Sequence, residues 1–198
     1  MSDEIWEYGA EGADGDGAAD EDGEDGDEHA VAERIDRAHA DNPRLSAWLD
    51  EQREGFADWS RRHGGGWDFD ERSLDRVEAL VREHVTSVDD LFARERTPLV
   101  QIACWYVGEV HNRTRGTEWR LDPDPADSHP WSRRPYVIVP FAVLDAYRDP
   151  EGIDYDARPL HHPLSGLLAL LREGSATGTG SLRAELDAYE PGGDDGAE

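Results

Sequence analysis

Thr97 to Trp119, TPLVQIACWYVGEVHNRTRGTEW, constrains this chain more than any other stretch. Leu99, Ile102, Ala103, Tyr106, Val107 and Val110 recur at helical spacing and predict one long helix with an apolar stripe. Thr97-Pro98 supplies a cap and a first-turn proline, and Gly116 stands as the C′ glycine. Arg113 and Arg115 suit the negative end of the helix dipole. The remaining elements are expected to pack around this helix.

Two residues break the pattern. A glycine in mid-helix costs about 1 kcal/mol relative to alanine, so Gly108 is expected to serve a close approach, with Trp119 as the neighbour. Glu109 follows it on an otherwise apolar helix. It is expected to pair with Arg113 at i+4, with a catalytic carboxylate as the alternative.

Upstream, residues 30–41 read as a short helix, with Val31, Ile35 and Ala38 at helical spacing. Asn42-Pro43 opens a second helix running to about His63, whose stripe is Leu45, Trp48, Leu49, Gln52, Phe56 and Trp59. Gly64-Gly65-Gly66 ends it. No Lys or Ser/Thr follows at the place a phosphate loop needs, and no strand precedes, so these glycines predict a helix stop. A third helix is expected over 71–85, capped by Asp70 or Ser73, with Leu74, Val77, Leu80, Val81 and His84 inward. Val88 to Arg96 reads as a short helical turn capped by Ser87.

Past Gly116 the period changes to two. Trp119 and Leu121 fall on one face of a short strand, and Tyr136 to Val139 form a second, its expected antiparallel partner. Residues 122–130 and 151–162 read as loops, Phe141 to Tyr147 as a short helix, and Pro163 to Arg172 as an apolar helix. Ser181 to Tyr189 is a short last helix after a Gly/Thr/Ser linker. The expected fold class is α+β, with several helices packed on a small antiparallel sheet.

Charge sets the domain limits. The chain has 46 acidic and 20 basic residues, and every basic one is Arg. Residues 1–29 hold 13 acids and no Arg, and residues 173–198 hold 7 acids against Arg183. Such segments bury too little apolar surface to offset chain entropy, so both ends read as disordered acidic tails around a single domain at 30–172. Within the N-terminal tail, Ile5, Trp6 and Tyr8 are the only apolar cluster. Acid gathered at the ends, with a near-balanced body, argues against a halophile-type surface. It also makes nucleic acid a poor partner, since phosphate binding needs clustered Lys/Arg. The single cysteine excludes a disulfide framework and a Cys-based zinc site. No run of apolar residues is long enough to cross a membrane, and no leader pattern opens the chain. A cytoplasmic location is expected.

Several residues are candidates for chemistry. His111, His161 and His162 lie outside any recognised metal-ligand spacing with Glu109, so neither metal nor cofactor is expected. Cys104 reads as a buried core thiol. No Ser lies in a nucleophile elbow, and the Asp-rich runs of the first tail lack the ligand order of a calcium loop. Trp67 and Trp131 fall in expected loops. Arginine with aromatics on loops is typical of binding surfaces, so Trp131, Arg133, Arg134 and Tyr136, with Trp67, form the candidate partner site.

Tyr106-Val107-Gly108-Glu109, then Gly116, Trp119 on a strand and Pro140-Phe141 resemble a family of small uncharacterised bacterial domains with a helix-borne Tyr-x-Gly-Glu motif. Related arrangements are similar to domains found beside bacterial toxin–immunity systems. The likeness covers about 97–148 and extends to 163–172. It departs at Gly116-Thr117-Glu118, where the family has Gly-Gly before the Trp. The resemblance implies architecture and no catalytic residues. The leading expectation is a non-catalytic protein-binding or accessory domain of immunity type. The alternatives are a hydrolase-type enzyme using Glu109 with His111 or a loop histidine, and an acidic decoy whose tail occupies a basic partner.

Overall fold

The computed structural model describes residues 22–124, 131–143, 158–172 and 181–189, with side chains from His29 to Leu186 within those ranges. Helix α5 (Pro98–Arg115) is the hub, with Tyr106, Val107 and Val110 fully buried. Gly116 caps it in the left-handed conformation, as the sequence predicts. Around it pack α2 (Pro43–Arg62), α3 (Ser73–His84), α4 (Val88–Arg94) and α6 (Pro163–Arg172). Asn42 and Ser87 cap as expected, accepting from the Arg44 and Asp90 amides, and Asp70 accepts from the Ser73 amide where α3 begins. Thr97 opens α5 without a side-chain cap bond; its hydroxyl donates to the Arg94 carbonyl instead. Gly64, Gly65 and Gly66 all take positive φ after α2, and Arg76 donates to the carbonyls of Gly65 and Gly66.

Strand β1 (Glu118–Arg120) pairs antiparallel with β2 (Tyr136–Ile138), placing Trp119 opposite Val137. A third strand, β3 (Leu160–His161), joins β2 where a loop was expected. Helices on a small antiparallel sheet make the fold α+β. Phe141 to Val143 form a 3-10 turn, and the rest of the helix expected there lies outside the described residues.

Two boundaries move. Helix α1 (Asp22–Ala40) begins at Asp22 rather than at 30. Val31 and Ile35 on it are 40% and 53% exposed, so its apolar stripe is not what docks it. Asp36 does: buried, it takes Arg120 at 2.8 Å and Arg158 at 3.0 Å. Burial alone would raise the Asp36 pKa, but the bonds and charges of Arg120 and Arg158 outweigh it and hold it below the usual carboxylate range. At the other end, the packed body does not stop at 172. A 3-10 helix (Ala184–Tyr189) returns to it, with Leu182 and Leu186 each 1% exposed in the core. Residues 1–21 and 190–198 lie outside the described residues. Among those described, no helix is long and apolar enough to cross a membrane.

Candidate functional site

Gly108 and Trp119 meet where α5 leans on β1. A Cβ on Gly108 would stand 2.2 Å from two carbons of the indole, so only glycine admits the ring. The indole Nε1 donates to Glu109 Oε1 at 3.0 Å, and Arg113 Nη2 donates to Glu109 Oε2 at 3.4 Å. With its amide turned so that oxygen faces the ring, Asn112 shares the same indole proton at 3.0 Å and donates to Thr117. Both oxygens of Glu109 are thus engaged in the helix–sheet joint. Tyr106 of the same motif is fully buried; its hydroxyl accepts from the Phe69 amide at 2.8 Å and donates to Ser73 at 2.7 Å, tying down the loop before α3.

His111 lies two residues beyond Glu109, and residues at that spacing do not share a helix face. It is fully buried, its ring stacked nearly parallel on His161 of β3 at 4.4 Å. Burial, then the Arg115 charge, lowers its pKa to about 4. Burial, then His111 and His162, holds His161 well below the ordinary value. The expected Glu109–His111 pair therefore does not converge; His111 meets His161 instead. Among the described residues, no group of three or more His, Cys, Asp or Glu is placed to hold a metal ion. Cys104 is buried in the core, where desolvation pushes its thiol pKa up.

The expected partner residues divide. Arg134 makes a two-point fork onto Glu95, at 2.6 and 2.8 Å, and its guanidinium lies 5.0 Å from the centre of the Trp131 ring. Trp131 and Tyr136 both lean on His162, at 5.7 and 5.2 Å between rings. The Tyr136 hydroxyl is 2.9 Å from His39 Nδ1, and burial raises its pKa to about 12. Arg133 is exposed beside them, and Phe92, 41% exposed, faces Arg134. Four of the five residues thus form one corner. Trp67 is elsewhere. It is buried against Trp59 and Tyr106, at 4.8 and 5.2 Å, under the Arg76 guanidinium. Placing it on a partner surface is corrected: the turn made by Gly64 to Gly66 folds it inward.

Sequence reasoning missed a cleft of about 720 Å3 where the ends of α2 and α3 meet the start of α5. Trp59, Leu99 and Ile102 line it, with Arg62, His63, Glu83 and His84 among its polar groups. His63 and His84 stand 5.7 Å apart, ring to ring. Burial, then the neighbouring His84 and Arg62, lowers the His63 pKa. Each histidine closes a separate helix, and nothing in the linear pattern pairs them. Glu95 was missed for the same reason: it lies far from Arg134 in sequence.

No known family model, no curated protein and no solved structure matches this chain. The likeness drawn from Tyr106 to Glu109, Gly116, Trp119 and Pro140-Phe141 rests on those residues alone.

Proposed function

We propose that this chain is a non-catalytic protein-binding or accessory domain of immunity type, meeting its partner through Trp131, Arg133, Arg134 and Tyr136. The observation that carries this reading is the Arg134–Glu95 fork beneath Trp131. Ordering a rotamer-rich side chain at an interface costs about 0.5–1.5 kcal/mol. Here Arg134 and Tyr136 are already held by Glu95 and His39. Tryptophan, tyrosine and arginine are the residues that dominate interface energies. Exposed Arg133 and Phe92 extend the patch.

The test is affinity capture from cells of the source organism, with the bound protein identified and its affinity measured. Arg133→Glu is expected to lose that protein with its far-UV spectrum unchanged. Arg72→Glu, at an exposed site on the start of α3, is expected to retain it. Equal binding by both variants would remove the corner from the reading. A second reading, binding of a small molecule, is favoured by the α2–α3–α5 cleft; the imidazole NMR signals of His63 and His84 would then move on adding the ligand.

A further inference from the structure

Residues 181–189 return to the body after a connection built of Gly, Ser, Thr and Ala at 174–180. Two leucines seat them, and nearly every other anchor is an ionisable group. Glu78 of α3, itself buried, accepts from the Leu182 amide at 2.8 Å and from the Ser181 hydroxyl at 3.1 Å. Its second oxygen is met by Arg82 at 3.2 Å. Arg115 of α5 donates through Nε to the Leu186 carbonyl at 3.1 Å, while its Nη1 is bonded to Glu71. Arg183 pairs with Asp75 at the surface.

Glu185 differs from these. Its Oε2 sits 3.1 Å from His161 Nδ1 but lacks hydrogen-bond alignment, and among the described residues that oxygen has no hydrogen-bond partner. A Cβ on Gly166 of α6 would come 2.9 Å from that oxygen and 2.8 Å from Leu182, so the segment is pressed onto a bare stretch of helix. Among the described residues no arginine pairs with Glu185, and the charge that bears on it most is that of Glu78. The Glu185 side chain is 31% exposed, but its Oε2 is turned inward away from solvent, and a carboxylate oxygen so placed without a cation is costly when ionised.

We infer that residues 181–189 form a releasable strap over the His111–His161 pair, closed while Glu185 is protonated and loosened when it ionises. Desolvation, then Glu78, raises the Glu185 pKa to about 7. A raised carboxylate favours the docked state below its ordinary value of 4.5 and loses that contribution as pH rises towards 7. Besides Glu78 and Asp75 of α3, the titrating groups nearest the strap are His161 of β3, His162 just after it and His111 of α5. Burial keeps His111 and His161 neutral over this range. With His162 also beside His161, Glu185→Gln is the variant that assigns the loosening to Glu185.

Amide hydrogen exchange on the full chain, corrected for the intrinsic pH dependence of exchange, tests this. Protection of the Leu182 and Leu186 amides is expected to fall roughly tenfold or more between pH 5.5 and 7.5, while that of Val107 holds. In Glu185→Gln the fall is expected to vanish. The same fall in both proteins, or a fall in step with Val107, would overturn the strap. Gly166→Ala, which crowds the seat without changing charge, is expected to lower strap protection at every pH. Unchanged protection in that variant would equally overturn it.

Discussion

Gly108→Ala puts two known effects in opposition. On an unhindered helix the change stabilises by about 1 kcal/mol, because alanine orders more cheaply than glycine. Here the new methyl would lie 2.2 Å from Trp119 Cη2 and Cζ2, where carbon atoms rest at about 3.5–4.0 Å. The indole has to withdraw by more than an ångström. Overpacking of this kind costs about 1–3 kcal/mol. Withdrawal also stretches the 3.0 Å bond from Trp119 to Glu109, and a hydrogen bond to a charged group is worth about 1.5–3 kcal/mol. Losses outweigh the gain, and the variant is expected to be less stable by about 2–4 kcal/mol. Urea denaturation followed by far-UV circular dichroism reads this as a lowered midpoint at constant slope. In a Trp119→Ala background, the same Gly108→Ala change is expected to be neutral or stabilising. A stabilised single variant, or equal effects in both backgrounds, would refute the helix–sheet joint.

Three further outcomes follow from the same geometry. Asp36→Asn removes the carboxylate that Arg120 and Arg158 share and leaves Arg120 with Glu118, and is expected to cost about 1.5–3 kcal/mol by urea denaturation. Tyr106→Phe strips the Phe69 amide of its acceptor and Ser73 of its donor. It should destabilise by about 1–3 kcal/mol, with faster exchange of the Phe69 amide as the local readout. His111 is neutral in the fold with its pKa lowered to about 4, so its contribution is complete above the ordinary 6.5 and is lost as pH falls through that window. Its share of the slope is at most about 1.4 kcal/mol per pH unit. His111→Leu should flatten that part of the stability–pH curve measured between pH 7 and 4.

What the sequence by itself determined is local. Helix α5, its proline start and its glycine stop follow from apolar spacing and from backbone conformations that only certain residues accept. The glycines after α2 and the antiparallel pairing of the strands that carry Trp119 and Val137 are legible on the same terms, while their register and the choice of Asp70 over Ser73 before α3 came with the structure. The Gly108–Trp119 contact was readable because a glycine in an apolar helix needs a neighbour to explain it. Tertiary structure decided whatever depends on two distant segments meeting. Periodicity finds an apolar face but cannot say whether a partner covers it, so α1 docks through Asp36 and leaves Val31 and Ile35 outside. Trp67 turned inward, because a local pattern does not record the path that three left-handed glycines set. The stacking of His111 on His161, the fork of Arg134 on Glu95 and the seat of Glu185 join residues from separate elements. The pKa shifts of His111, His161 and Glu185 follow first from burial, which exists only once the chain has closed around them.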